Sequence, residues 1–537
     1  MNKLFVCINA KNIHKAIAPW AIKAYCEKQG AIGFSVLEAN VNDSVYEIVS
    51  RILIKEPDVI IFSCYIWNIE LVKKIGGLIR ELLPKAVIVL GGPEVSFEED
   101  LSDFDFRFAN YLLRGAGEVA VCRLLKKLSK EKCETSETKE AVVQGCSGDF
   151  NDFPSFLTED YFQSFSENQI PFIEKQLIYY ESSRGCPFSC SYCISSTDEG
   201  VFYLEIERVK NELKLLVDRG ATVIKFVDRT FNANKERAKK ILEFILKLDT
   251  TAVFHFECAG DLFDEVLLEI IEKMPKGRVQ FEIGIQTVNE KTIKAIGRKV
   301  NNALALKNIK KITSFDNVHV HVDLIAGLPY ETLKSFIDAI NCCLNAKPHH
   351  LQLGFLKMLK GTRIRNQNDF GAVFTQFPPY EVYKTNTLSH RILHHLKKME
   401  SLIEKFYNSG IFLNSLNYGF ELFGTPYDFF DNFIKHMNNS TINFKSSIKN
   451  AYSILFEFLS RYGEKLKAEH FVKLDCLLFD SKGLLPDKIM SKRDKQKELD
   501  YRRNNKTKNR IRIEYFDYDS KYRLFNYDSV PYKITII

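Results

Sequence analysis

Short apolar runs separated by stretches of helical periodicity dominate the first two thirds of the chain. Near the start the runs are Leu4–Ile8, Gly33–Leu37, Val59–Ser63, Ala86–Leu90 and a weaker Tyr111–Leu113. Apolar residues at helical spacing fill the intervals, at about 16–29, 43–55, 68–83 and 118–130. This βαβ order predicts a parallel sheet with helices on both faces. Five strands suit the flavodoxin-like order 2-1-3-4-5, which binds ligands at the carboxyl ends of its strands.

The alternation resumes further on. Strands are expected at 177–182, 222–227, 252–257, 279–285, 318–325 and 350–356, with helices at about 203–219, 234–248, 264–273, 289–296, 301–314 and 331–346. Six strands joined by right-handed crossovers predict an open, TIM-like (βα)6 barrel. Such barrels keep their chemistry at the C-terminal strand ends. The fold class is therefore α/β: a doubly wound domain over 1–130, a linker over 131–175, a partial barrel over 176–369 and a mainly helical C-terminal domain over 370–537. In the last part, 381–408 and 446–475 show helical periodicity, and the two runs starting at Ile511 and Tyr522 read as a closing hairpin. The aromatic stretch Phe420–Phe430 reads as core packing.

Composition narrows the class. The 537 residues are 45% hydrophobic and 27% charged, ordinary for a globular protein of several domains. No run approaches the ~18 apolar residues that span a bilayer, and the N-terminus lacks a signal-peptide pattern. Thirteen irregularly spaced cysteines suit free thiols in a reducing cytoplasm. Of these, Cys7, Cys64, Cys342 and Cys343 read as buried thiols. The net charge of +7 equals the balance of eleven Lys/Arg against four Asp/Glu between Asp487 and Arg512. Any nucleic-acid contact would have to run through Lys488–Arg512, which otherwise reads as a solvated arm.

Candidate chemistry concentrates in Arg184-Gly-Cys-Pro-Phe-Ser-Cys-Ser-Tyr-Cys193, straight after the first barrel strand. Gly185 and Pro187 break the strand and place Cys186, Cys190 and Cys193 on a loop. A cubane iron–sulfur cluster normally takes four thiolates. A loop offering three leaves one iron open, as in catalytic metal sites. Tyr192 sets an aromatic face beside it. The alternatives are a zinc loop with a remote fourth ligand, or three unrelated buried cysteines.

The motif resembles the C-x3-C-x-aromatic-C signature of the radical S-adenosylmethionine (SAM) superfamily. That resemblance implies that Cys186, Cys190 and Cys193 hold a [4Fe-4S] cluster whose open iron chelates SAM. Reductive cleavage would then give a 5′-deoxyadenosyl radical, with electrons from a reductant such as flavodoxin or ferredoxin. It also implies that Glu282, Gln286 and Arg298 hold the polar ends of SAM, and that Ile325 and Gly327 lie against the adenine. Asp228-Arg-Thr-Phe-Asn232 stands where the family has a glycine-rich motif. Glu257 and Asp261 read as ion-pairing strand residues. His319 and His321 alternate on one strand face and would make a metal pair, but with no third ligand at hand they read as hydrogen-bonded barrel residues.

The ends of the first five strands carry Asn9-Ala-Lys-Asn-Ile-His14, Ser63-Cys-Tyr-Ile-Trp67, Gly91-Gly-Pro-Glu94 and Gly115-Ala-Gly-Glu118. Glycines there let the backbone approach a large flat ligand. Upstream of such a cysteine loop, the pattern resembles the cobalamin-binding domain of B12-dependent radical SAM enzymes. The resemblance implies cobalamin contacts from Asn9, His14, Ser63, Gly91, Gly92, Pro93, Gly117 and Glu118. The Asp-x-His-x-x-Gly motif that supplies a cobalt-ligating histidine in many such domains is absent from the sequence. His14 is the substitute by position, though a hydrogen-bonded loop histidine is the simpler reading. The implied reaction is methylation of an unactivated carbon, one SAM donating the methyl group and a second supplying the radical. Alternatives are a cobalamin-associated cyclase or rearrangement enzyme, tRNA methylthiolation, or a non-catalytic corrinoid-binding protein.

Overall fold

A computed structural model describes residues 1–31, 33–97, 106–130, 142–144, 150–167, 173–197, 200–438, 447–479, 485–528 and 533–537. The strands up to the barrel are β1 (Lys3–Asn9), β2 (His14–Lys15), β3 (Phe34–Asn40), β4 (Val59–Ser63), β5 (Val87–Gly91), β6 (Tyr111–Arg114) and β7 (Val142–Gln144). Six of them form one parallel sheet in the order β3-β1-β4-β5-β6-β7. The expected order of the five main strands is present, and β7 adds a sixth from the stretch read as linker. Part of that linker, including Cys133 and Cys146, lies outside the described residues.

This sheet is covered on both faces. Leu4, Val6 and Ile8 pack with Ile48, Ile52, Val72 and Ile75 of helices Val45–Ile54 and Ile69–Leu82. The alternate residues Phe5, Ile61 and Val89 pack with Ile22, Cys26, Val121 and Leu125 of helices Ala18–Lys28 and Gly117–Lys130. Both side-chain directions of β1 and β4 are therefore apolar, as a doubly covered parallel sheet requires. Each fully buried aliphatic side chain here contributes roughly 1.5–3 kcal/mol.

The barrel strands are β8 (Leu177–Tyr180), then a small antiparallel pair β9 (Ser183–Gly185) and β10 (Val201–Tyr203), then β11 (Val223–Phe226), β12 (Val253–Cys258), β13 (Val279–Gln286), β14 (His319–Ala326) and β15 (His350–Phe355). The sheet order is β15-β14-β13-β12-β11-β8-β2, parallel throughout. Six strands match the expectation. The seventh does not: β2 belongs in sequence to the first domain but pairs with β8, His14 opposite Leu177 and Lys15 opposite Ile178. The histidine expected in a loop is thus an edge-strand residue, its ring 5.7 Å from that of Tyr179. Lys15 anchors the crossover through a fully buried 2.6 Å ion pair with Glu38 and a 2.7 Å hydrogen bond to Ser164. Glu38 also accepts from Trp20, Asn9 and the Ala16 backbone, so its charge is well satisfied.

Beyond the barrel, β16 (Val373–Phe374) and β17 (Val382–Lys384) form a short pair. The helical run expected from 381 begins only at His390, where the Ser389 hydroxyl accepts from the Ile392 amide. Five further helices follow, Leu413–Phe423, Pro426–Asn438, Ile448–Tyr462, Lys465–Phe479 and Lys495–Asn504. Phe429, Phe433 and Phe458 form their aromatic core, with Phe433 and Phe458 rings 4.7 Å apart. The expected hairpin, β18 (Ile511–Phe516) and β19 (Lys521–Asn526), is extended by β20 (Lys533–Ile536). Among the described residues no helix is long and apolar enough to cross a membrane.

Candidate functional site

Gly185 is the hinge on which the cysteine loop leaves β9. Its φ is +93°, and a Cβ there would lie 2.2 Å from the Gly200 carbonyl oxygen of the returning strand. Only glycine permits that crossing. The loop is braced from three sides. Asp228, just after β11, is buried and accepts from the Ser182 amide and from the Ser182 and Ser183 hydroxyls at 2.6–2.7 Å. Ser191 donates its amide to the Ile296 carbonyl at 2.8 Å and accepts from the Ile364 amide at 3.0 Å. Arg363 donates to the Ser189 carbonyl. The Asp228–Asn232 segment is thus a brace: Thr230 sits 3.6 Å from Cys186 Sγ, and Asn232 exchanges two hydrogen bonds with Ala259.

Cys186 and Cys193 are half-buried and Cys190 is buried. Their sulfurs do not all lie within 4.8 Å of one another; among the described residues only Glu282, His321 and Asp323 meet that spacing. A single zinc ion would draw three thiolates closer, since Zn–S is about 2.3 Å. The observed spacing is not the arrangement of a closed mononuclear zinc site. Arg298 Nη1 reaches Cys190 Sγ at 3.9 Å and the Tyr192 hydroxyl at 3.3 Å, while Nη2 donates to the Gly284 carbonyl at 2.5 Å. Burial raises the Cys190 thiol, and the Arg298 guanidinium opposes it. Burial likewise raises the Tyr192 phenol.

The loop opens onto the barrel lumen. Lumen and outer face differ sharply: β13 and β14 alternate half-buried and buried positions without a break. Outward lie Phe281, Ile283, Val320 and Val322; inward lie Glu282, Gly284, His321 and Asp323. Lys225 donates to Glu282 at 2.9 Å and comes within 3.9 Å of Glu257. His255 Nε2 lies 3.0 Å from Glu282. Burial would raise the Glu282 carboxyl, but the His255 contact and the Lys225 charge outweigh it and hold it at about 2. Glu257, lacking such partners, is raised to about 7 by burial and by the Glu282 charge.

The structure gathers the expected SAM residues around this mouth. Tyr192 and Arg298 touch. Gln286, at the end of β13 with φ +66°, folds its amide over Gly284, and a buried Oε1 is left without a partner. Ile325 stands on the lumen side of β14, and Gly327 follows with φ +94°. Glu282 lies one lumen layer below Gly284, engaged by Lys225 and His255. Asp261 accepts from the Asn301 amide at 2.8 Å, capping a helix start and facing no lumen partner.

The expected residues of the first sheet divide. Asn9 donates to Glu38 and to the His14 carbonyl, and Ser63 lies 3.0 Å from Cys7 Sγ. Gly92 has φ +107°, and a Cβ there would meet the Cys64 carbonyl oxygen at 2.6 Å; at Gly117 it would meet Ile22 at 2.7 Å. Those two glycines admit neighbouring protein atoms. Gly91 ends β5 and, like Pro93, is half-buried. Glu118 pairs with Arg184 at 2.9 Å, tying the helix N-terminus of the first domain to the residue two before Cys186. At the same sheet edge Trp67 is 47% exposed and stacks on Tyr65 with centroids 4.4 Å apart.

Sequence reasoning missed Arg184, Lys225 and His255. Their signal was available: Lys225 and His255 occupy lumen positions in strands whose other face is apolar. The basic segment is less free than its count suggests. Lys492 pairs with Asp517, Arg493 with Glu498, Lys488 with Glu457, and Arg512 with the fully buried Glu514.

Comparisons with known proteins agree with this architecture. Residues 3–125 match the B12 binding domain, residues 180–343 the Radical SAM superfamily, and residues 368–534 a family described as a protein of unknown function (DUF4080). The chain is 27% identical over 321 residues to the cobalamin-dependent radical SAM methyltransferase TokK of Streptomyces tokunonensis, covering 55% of this chain and 46% of that one. It is 26% identical over 335 residues to 2-(S-pantetheinyl)-carbapenam-3-carboxylate methyltransferase of Streptantibioticus cattleyicolor, covering 57% and 47%. The chain thus spans about half the length of these curated relatives. In fold it is similar to the radical SAM methyltransferase TsrM from Kitasatospora setae, with a TM-score of 0.54 at 15% identity over 71% of this chain and 79% of that one. The chain thus carries a B12 binding domain followed by a Radical SAM superfamily domain.

Proposed function

We propose that this protein is a cobalamin-dependent radical SAM methyltransferase acting on a carbon centre of a small polar substrate. The observation that carries the reading is the Glu118–Arg184 ion pair at 2.9 Å, because it holds the C-terminal edge of the B12-type sheet against the cysteine loop. A methyl carrier and a radical source serve one substrate only if their sites adjoin. Cys186, Cys190 and Cys193 stand on one loop in a C-x3-C-x2-C spacing that fits a three-thiolate cluster site. The exposed Trp67, stacked on the half-buried Tyr65, fits a broad flat ligand, whereas Asn9 and Ser63 are already bonded within the protein. His14 packs on Tyr179, so in this reading the domain works without an imidazole on cobalt.

When bound, the cluster and cobalamin supply electron transfer and methyl transfer respectively. The chain's own residues do the rest. Arg298 sets a positive charge beside Cys190 and fixes the Tyr192 ring against the loop. Gln286 offers an unpartnered amide oxygen to the amino group of SAM. Ile325 and the turn at Gly327 offer an apolar edge and open backbone to its adenine. The half-buried lumen row receives polar groups along the full strand length.

Anaerobic reconstitution with SAM, cobalamin and a reductant tests the reading. The expected result is 5′-deoxyadenosine together with S-adenosylhomocysteine. 5′-Deoxyadenosine alone would overturn methyl transfer in favour of a cyclase or rearrangement. Neither product would leave a corrinoid-binding role.

A further inference from the structure

The barrel lumen holds a second constellation, below and beside the residues at the cluster mouth. Glu282 and His321 are direct partners across β13 and β14, and Asp323 follows on the same face of β14. One ligand atom from each lies within 4.8 Å of the other two. His321 Nε2 is 3.0 Å from Asp323 Oδ1. Both atoms are buried, and neither meets the geometry of a hydrogen bond. The same holds for His255: its Nε2 is 3.0 Å from Glu282, unbonded, on a residue only 9% exposed.

Close, misaligned donor atoms of this kind are costly as hydrogen-bonding groups. They are natural as ligands of one ion. Two ligands at right angles on an ion about 2.1 Å away stand roughly 3.0 Å apart. Charge points the same way. Glu257, Glu282 and Asp323 gather around one ammonium, Lys225, which occupies one oxygen of Glu282, with the Arg229 charge acting on Glu257. A divalent ion would offset that excess of carboxylate.

We propose that Glu282, His321 and Asp323 form a mononuclear site for a divalent ion of the zinc class. Mixed imidazole and carboxylate donors suit such borderline ions. Glu282 and His321 lie one strand layer, roughly 7 Å, beneath Gly284, whose carbonyl holds Arg298, and Asp323 is level with Gly284 in the register. Any coordination position left open faces the lumen, where an oxygen or nitrogen donor of a substrate can enter. His321, which has no third ligand in its own strand's neighbourhood by sequence, gains one through the register with β13.

The test loads the anaerobically prepared full-length protein, cluster in place, with one equivalent of zinc chloride and removes excess metal. Zinc per chain is measured by mass spectrometry and its shell by X-ray absorption. The expected result is one zinc bound by nitrogen and oxygen with no sulfur neighbour, and a fall in affinity of more than about 10-fold in Asp323→Asn. His321→Gln makes the same comparison should the first variant fold poorly. Iron and sulfide content should stay unchanged in both. No retained zinc, equal retention in wild type and variants, or a zinc–sulfur shell would overturn the assignment. None of those outcomes bears on methyl transfer.

Discussion

The chain contains two parallel sheets of similar strand length that use their surfaces in opposite ways. In the first, β1 and β4 are buried on both faces, so every side chain is spent on packing. In the second, each strand buries one face under helices and turns the other to a half-open lumen lined by Lys225, Glu257, Glu282, His321 and Asp323. A closed TIM barrel fills that space with branched apolar residues. Here the gap between β15 and the short strap β2 leaves it accessible. A doubly covered sheet can present chemistry only at its strand ends, as Trp67, Gly92 and Glu118 do. A half-open barrel can present it along its length.

The sharpest break between the two comes at the cysteine loop. Cys190→Ala should abolish cluster absorption and 5′-deoxyadenosine formation while urea unfolding keeps its midpoint. Loss of the fold along with the cluster would mean that the thiolates brace the barrel as well as bind iron. Phe62→Ala tests the opposite surface. Phe62 is fully buried in the first sheet, and its truncation should cost about 3–5 kcal/mol, read as a lower urea midpoint. A smaller cost would show that the sheet relaxes around the cavity and is less tightly covered than its burial implies.

How far this was legible in the sequence follows from the same contrast. Apolar runs and helical periodicity mark strands and helices within about three residues in both domains, because both sheets bury at least one face. The cysteine spacing was legible as a metal loop because thiolate chemistry is local in sequence. Three things were not. The pairing of His14–Lys15 with β8 crosses from one domain to the other, and a two-residue strand has no periodicity. The need for glycine at 185 arises from Gly200, fifteen residues away on the returning strand. The lumen cluster depends on strand register, which brings Lys225, His255, Glu282 and His321 together although none is near another in the chain. In the C-terminal third, helical periodicity overran into Val382–Lys384, whose alternation is too short to stand out.

A dry histidine offers a control on the open lumen. His470, in helix Lys465–Phe479, is 7% exposed among the rings of Phe471, Phe516 and Tyr518. Burial, then the nearby Arg523 charge, lowers its pKa to about 4. The unfolded chain binds this proton near pH 6.5, so between about 6.5 and 4 the unfolded state holds more protons. Stability present at neutral pH is therefore lost as pH falls through that window, by up to about 3 kcal/mol. Wild type should lose that much more than His470→Gln between pH 7 and pH 4 in urea titrations. Parallel pH profiles would mean that water reaches the ring.

The smallest effect is expected where the lumen is most open. Glu257 has a side chain 34% exposed, and its nearest opposite charge is Lys225 at 3.9 Å. An ion pair that loose in a solvated groove is worth less than about 1 kcal/mol. Glutamine keeps the shape and the apolar stem and removes a charge that burial opposes, so Glu257→Gln should not lower the stability read from the urea midpoint by more than about 0.5 kcal/mol. The same strand carries Phe256, fully buried on the opposite face, where truncation to alanine should cost about 3–5 kcal/mol. Neighbouring residues on one strand thus separate packing from chemistry by a single reversal of side-chain direction. If Glu257→Gln proved as costly as the outer-face change, the lumen would be a packed interior, and its charges would be structural pairs instead of a surface for small molecules.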